Sequence, residues 1–309
     1  MRIPGFSAEA TLYETNKKPS TFGDIVYPSK SKPVIAQLPV GGGSGRFCEY
    51  LQCCNMKDKA NMDRYGYISM PPSQALNPDG LPIGFVKDVA SSGEEHVGMT
   101  CAACHTGWLS IGGTKVIVEG GPTLADFRLF LKETTEGLAA AINNPAKQSR
   151  FFKKVLNSDN PPQSQIDQLR QRMTAKLNDL QTRLDQNIPS SSFGNGRVDA
   201  FGHIMTRVLA QDLGVPANAK PPYGPVFSAP VSYPFLWDTH HHKVVQWNGS
   251  APNGGLGPLS RNVGEVLGVF GELEVIPRFQ IPFFPRPAQY KSSANLRNLN
   301  RLEQLVAAL

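Results

Sequence analysis

Residues 96–110 read HVGMTCAACHTGWLS. Cys101 and Cys104 are separated by Ala102 and Ala103, and His105 stands directly behind the second cysteine. C-x-x-C-H is the attachment signature of c-type haem. Each thiol must reach one edge of the same porphyrin, and two small intervening residues allow this without crowding the ring. His105 then falls beneath the iron as its proximal ligand. With 5 cysteines and 6 histidines in 309 residues, chance would produce the pattern roughly 0.002 times. Two other chemistries use paired cysteines. A redox C-x-x-C expects a strand before it and a helix carrying it, whereas SSGEEHVGMT reads as loop. A zinc site expects a second ligand pair at short spacing, and FCEYLQCC lies too far upstream. The cofactor expected is therefore one covalent haem c with its iron.

Haem of this kind is attached outside the bacterial cytoplasm, where disulfides also persist. The expected location is periplasmic or secreted, although the N-terminus MRIPGFSAEATLYETNKKP shows no apolar signal segment. Cys48 can close a small disulfide loop with Cys53 or Cys54, or all three can be incidental. The net charge is +6 without a basic block and without basic residues alternating with aromatics, which argues against nucleic acid. No stretch approaches the roughly 20 apolar residues of a membrane span.

With 29 Gly and 26 Pro, turns and irregular segments are expected throughout. The fold class expected is mainly α and loop-rich, a cytochrome c-like haem domain with long irregular segments. Residues 1–45 read as an irregular arm ending in a flexible GGGSG, 46–290 as the haem domain, and 291–309 as a helix leading to a missing second-haem domain. Asn77-Pro78-Asp79-Gly80 predicts a tight turn, and KVIVE a short strand. Thr123 and Asp126 predict a capping box for a helix with Phe127, Phe130, Leu131 and Leu138 on one side. Ile166, Leu169, Met173, Leu177, Leu180 and Leu184 recur at steps of three and four, an amphipathic helix. Another helix is expected over about 197–213. The last one, with Leu296, Leu299, Leu302, Val306 and Leu309 on one side, ends without a cap, as if cut.

In order along the chain, NPDGLPIGF, VGMTCAACHTG, EGGPTLADFRLF, FGNGRVDAFGHIMTRVLAQ, APVSYPFLWDT with VQWNGS, SRNVGEVLGVF and SSANLRNLNRLEQLV resemble the rubber oxygenase-like di-haem cytochromes c. That group includes bacterial di-haem fatty-acid dioxygenases, and the likeness runs over residues 65–309. It implies a first haem anchored by Cys101, Cys104 and His105, with the other side of the iron open or holding dioxygen in an apolar pocket. It places the distal wall among Phe227, Phe235 and Trp237. It further implies a second haem with two axial histidines for electron transfer, so a redox partner or second-haem domain is expected. Two departures stand out. No second C-x-x-C-H occurs, and THHHKVV is richer in histidine than the family's stretch.

The activity this implies is a haem-dependent dioxygenase-type oxidoreductase. Its partners are dioxygen and a hydrophobic small molecule or polymer, a fatty acid or polyisoprene. Arg197 or Arg207 could pair with a fatty-acid carboxylate. An electron-transfer cytochrome needs a sixth ligand instead. Candidates are Met70, His203, Met205 and any of His240, His241 and His242, since Met99 sits too near the anchor. A peroxidase relative would need a polar group over the iron, from His203 or the triplet. An inert fragment would expose the apolar stripe of the last helix.

Overall fold

The computed structural model describes residues 43–46, 59–72, 77–89, 95–186, 192–208, 229–276, 280–281, 284–285, 289–307 and 309. Cys48, Cys53, Cys54 and Phe227 lie outside the described residues, and with them the disulfide expectation and one of the three ring candidates. The chain order begins with β1 (Gly43–Arg46), α1 (Lys59–Asp63), β2 (Phe85–Val89) and β3 (Glu95–Met99). β3 is the middle strand of an antiparallel sheet, with Phe85 opposite Met99 and His96 opposite both Asp88 and Arg46. Strand periodicity turns Val97 and Met99 to the same buried side. Part of the glycine stretch expected to be flexible is thus an edge strand. The Asn77 turn forms as expected: the Gly80 N–H donates to the Asn77 carbonyl at 3.2 Å, and the Asn77 side chain clamps Leu81.

β4 (Thr106–Ile111) and β5 (Thr114–Glu119) form a hairpin. Its turn, Gly112-Gly113, has φ of +58° and +83°, which only glycine adopts without strain. α2 (Phe127–Asn143), α3 (Pro145–Val155) and α4 (Gln163–Gln186) come next. Asp126, rather than Thr123, caps α2: its carboxylate accepts from the Leu129 N–H at 2.9 Å. The Thr123 hydroxyl instead accepts from the Ala125 N–H at 3.2 Å, closing the turn before the helix. Asn144 ends α2 and caps α3, with Pro145 in the first turn, where its missing N–H costs nothing. On α4 the expected stripe faces the core, with Leu169, Met173 and Leu180 at 0–1% exposure and Ile166, Leu177 and Leu184 half-buried beside them.

After β6 (Arg197–Val198), α5 (Ala200–Thr206) is capped by Asp199, whose carboxylate accepts from the Gly202 N–H at 2.8 Å. The helix expected to reach 213 is described only to its first turns. β7 (Val231–Ser232), β8 (Val244–Val245), β9 (Ala251–Pro252), α6 (Gly257–Val269), the short strands β10 (Leu273–Ile276), β11 (Gln280–Ile281), β12 (Phe284–Pro285) and β13 (Gln289–Ser292), and α7 (Leu296–Val306) complete the order. Gly268 lets α5 and α6 close: a Cβ there would stand 2.8 Å from the Ile204 side chain.

Two apolar clusters result. The first gathers Tyr65, Tyr67, Phe85, Phe127, Phe130, Leu138, Leu169, Met173 and Leu180 around α2 and α4. The second joins Ile68, Ile83, Ala102, Ile117 and Val266 to Leu299, Leu302 and Val306 of α7. Each such side chain contributes about 1.5–3 kcal/mol on burial. Most of the stripe of the last helix is therefore covered within this chain, with Leu299 and Leu302 at 1% exposure, while Leu296 at its start stays 54% exposed. α7, which lies beyond the expected boundary at 290, packs on Ile68, Ile83, Ile117 and Val266. Among the described residues no helix is long and apolar enough to cross a membrane.

Candidate functional site

The motif sits where the two clusters meet. β3 delivers Thr100, whose N–H donates to the Gly84 carbonyl at 2.7 Å. Cys101–Ala103 then form one tight turn, closed by Cys104 and His105 N–H groups donating to the Cys101 carbonyl at 3.1 and 2.9 Å. Ala102 packs into the second cluster and Ala103 into the first, both nearly inaccessible. Gly84 presses on this turn with φ +85°, and a Cβ there would collide with the Ala103 backbone. The pieces flanking the motif are pinned as well: Gly120 N–H donates to the His105 carbonyl at 2.9 Å, and Thr123 N–H to the Cys104 carbonyl at 3.1 Å.

Cys101 and Cys104 are free, half-buried thiols. Burial pushes both up to about 12, with Glu265 adding at Cys101 and the neighbouring thiol at Cys104. A working redox dithiol needs the opposite, a thiolate stabilised near neutral pH. The expectation about its surroundings is half corrected: a strand, β3, does precede the motif. The single turn leads into β4 rather than into a helix.

His105 is half-buried, and its Nδ1–H donates to the Pro234 carbonyl at 2.8 Å. A carbonyl only accepts, so Nδ1 must carry the proton and Nε2 keeps its lone pair. Burial lowers the ring to about 4, which keeps it neutral. This is the state a metal-binding imidazole requires, with its second nitrogen oriented by a backbone acceptor. Spacing gave no signal for Pro234, which lies 129 residues away.

The loop that holds His105 is itself held. Tyr233 N–H donates to the Gly196 carbonyl, Leu236 N–H to Gly120, and Trp237 Nε1–H to Glu119 at 3.1 Å. Phe235 and Trp237 belong to this loop; their rings stack at 5.7 Å, with Phe235 51% exposed. Tyr233 presents its ring edge-on to His105 at 6.4 Å. Its hydroxyl is buried and faces the Cys104 thiol, while the Tyr67 hydroxyl is buried without a hydrogen-bond partner. Burial raises both hydroxyls well above their ordinary value, with Cys104 the next cause in each case. Aromatics of this kind read as core in a sequence, so the pair was not foreseen.

Arg261 also carried no signal in the sequence. It bonds Asn253 Oδ1 and Glu303 Oε1, each at 2.8 Å, and Asn262 reaches the same Glu303 oxygen at 2.6 Å. This ties α6 to α7 beside the motif, close enough for Arg261 to act on Cys101 and His105. Of the sixth-ligand candidates, Met70 packs half-buried on the second cluster with Cys101. His203 leans on Phe127 at 5.4 Å, Met99 is buried in the first cluster, and Met205 is 40% exposed. His240, His241 and His242 do not form part of either cluster, and His241 and His242 are exposed. Arg207 is engaged with Asp179 at 3.2 Å, and Arg197 is exposed on β6.

The residues present fit a covalent haem. Two free thiols share one turn, a neutral imidazole keeps Nε2 available, and one buried hydroxyl, that of Tyr67, stands orphaned near Cys104. Compared with known proteins, the chain is similar to the uncharacterized protein y4iJ of Sinorhizobium fredii (strain NBRC 101917 / NGR234), 33% identical over 232 residues. That alignment covers 67% of this chain and 35% of the relative, so the chain spans about a third of the length of the curated relative it matches. No solved structure matches the chain. No family model matches it either.

Proposed function

We propose that the chain is a c-type haem protein of cytochrome c-like build, periplasmic or secreted. In this reading it is a dioxygenase-type oxidoreductase acting on an unsaturated hydrocarbon chain, a fatty acid or polyisoprene. The observation that carries the reading is the His105 Nδ1–H bond to Pro234, 2.8 Å long, at the end of C-x-x-C-H. Cys101 and Cys104 would hold the haem by thioether bonds, and His105 would offer Nε2 to its iron. When bound, the haem supplies an iron able to take up dioxygen and direct it to a double bond. Pro234 fixes the imidazole so that its lone pair cannot rotate away. Ala102 and Ala103 keep the turn narrow enough for both sulfurs to reach one ring. Ile68, Ile83 and Met70 exclude water on the Cys101 side. The unpartnered Tyr67 hydroxyl would be free to donate to a polar atom of the bound group. Trp237 braces the His105 loop, and Phe235 beside it presents an exposed ring to a hydrocarbon chain.

The optical spectrum of the matured, dithionite-reduced protein before and after carbon monoxide tests this. A clear shift is expected. An unchanged low-spin spectrum sinks the dioxygenase reading. It would favour electron transfer, for which Met70 beside Cys101 is the specific pointer. Met70→Ala would then open the iron to carbon monoxide.

A further inference from the structure

Outside the motif, Lys147, Arg150, Lys153 and Lys154 stand exposed on α3, and the sequence carries no acidic residue between Glu136 and Asp159. None of the four forms an ion pair among the described residues, whereas nearby Lys132 pairs with Glu136 at 2.6 Å and Arg170 with Asp167 at 3.3 Å. They rim an open groove of about 590 Å³ whose floor is Ala140, Ala141 and Phe151. Lys147, Arg150 and Lys154 recur at steps of three and four, so they share one stripe of the helix, roughly 10 Å long. Of 31 basic residues against 25 acidic, these four account for most of the surplus.

The shape of the groove decides its occupant. A free amphiphile binds where most of its surface is enclosed, and this groove is open. A stable protein interface needs about 800 Å² per partner with aromatic anchors, and the floor here is two alanines and the edge of a buried phenylalanine. An anionic lipid surface requires neither, because its chains stay in the bilayer and its headgroups need only unpaired cations. We propose that the α3 groove docks the protein on an anionic phospholipid surface, with headgroup phosphates between the four cations.

The test is sedimentation of the matured protein with phosphatidylglycerol vesicles and with phosphatidylcholine vesicles. Binding to phosphatidylglycerol alone is expected, weakened about five-fold per cation removed, and lost in about 1 M salt, where screening shortens to roughly 3 Å. The variant K147Q/R150Q/K153Q/K154Q should fall by more than a hundred-fold while keeping its far-UV spectrum, since all four side chains are exposed. A charge-matched control, K59Q/K132Q/K243Q/K291Q, should keep most of the binding. Equal loss in both quadruple variants would reduce the effect to net charge and overturn the site. Equal binding of wild type to both lipids, or retained binding by the groove variant, would overturn it too. So would binding to an acidic polypeptide such as polyglutamate with none to phosphatidylglycerol.

Discussion

The two apolar clusters differ in how they are made. The first is built around the helices from Phe127 to Leu180, which succeed each other by short connections, with Tyr65, Tyr67, Phe85 and Phe270 packed onto them from elsewhere in the chain. The second takes residues from opposite ends of the chain, Ile68 and Ile83 against Leu299, Leu302 and Val306, with Ala102 of the cysteine turn between them. It is also fringed by apolar groups that stay half-buried, including Cys101, Met70, Leu236, Leu259 and Val263. Both clusters keep half-buried apolar groups at their rims, but only the rim of the second includes a motif thiol, Cys101, so that is the rim a large, flat apolar group such as the proposed haem would cover.

The largest effect expected is all or none. Cys101→Ala with Cys104→Ala should abolish haem staining of the denatured chain, and retention of covalent haem by that variant would end the haem reading. Next come two leucine deletions that set the clusters against each other. Leu302→Ala and Leu180→Ala each empty a site at 0–1% exposure and should each cost about 2–5 kcal/mol. Thermal unfolding should register both. Only Leu302→Ala should also disturb the haem spectrum, because only the second cluster contains Cys101. Equal spectra for the two variants would show that the clusters are not separable in this way.

The contrast also explains what the sequence disclosed. Regular, local structure was legible: the stripe of α4, the buried face of α2, the Asn77 turn and the face of α7 arise from periodicity and turn chemistry over a few residues. The cysteines and His105 were legible because their chemistry fixes their spacing. The groups that orient them were not. Pro234 acts through a backbone carbonyl, which any residue has, and Arg261 with Glu303 meets the motif only after α6 and α7 pack. Tyr67 and Tyr233 look like other core rings until the Tyr67 hydroxyl is found unpartnered and that of Tyr233 facing Cys104. The cap of α2 moved from Thr123 to Asp126 because either residue can supply the oxygen, and only the backbone path decides.

A smaller effect is expected from pH, and it belongs to the first cluster. His203 is lowered from 6.5 to about 4, by burial first, with Asp199 opposing and Arg183 and Arg128 assisting. The neutral ring is the one that fits, so its contribution is complete above pH 6.5. It is lost as pH falls from 6.5 toward about 4, where the folded protein must accept the proton that the unfolded chain already holds. The full shift corresponds to up to about 3 kcal/mol, reduced by whatever water reaches a half-buried ring. His203→Gln should flatten the denaturation midpoint across that window, and a slope unchanged from the parent would assign the loss to other groups.

The smallest effect carries the sharpest sign. A buried hydroxyl with no partner costs about 1–3 kcal/mol, and Tyr67 is 3% exposed with its oxygen unpaired. If the second cluster and its borders are shaped for an added group, removing that hydroxyl should help the protein made without haem and harm the protein that carries it. Tyr67→Phe keeps the ring, so its edge-on contacts with Phe85 at 4.9 Å and Phe130 at 5.4 Å survive. Any change can then be assigned to the oxygen. The expected outcome is stabilisation of the haem-free chain by about 1 kcal/mol and destabilisation of the haem-bearing chain by a similar amount, read as opposite shifts in denaturation midpoint. A shift of the same sign in both forms would mean that Tyr67 does not face the bound group, and that its isolation belongs to the first cluster alone.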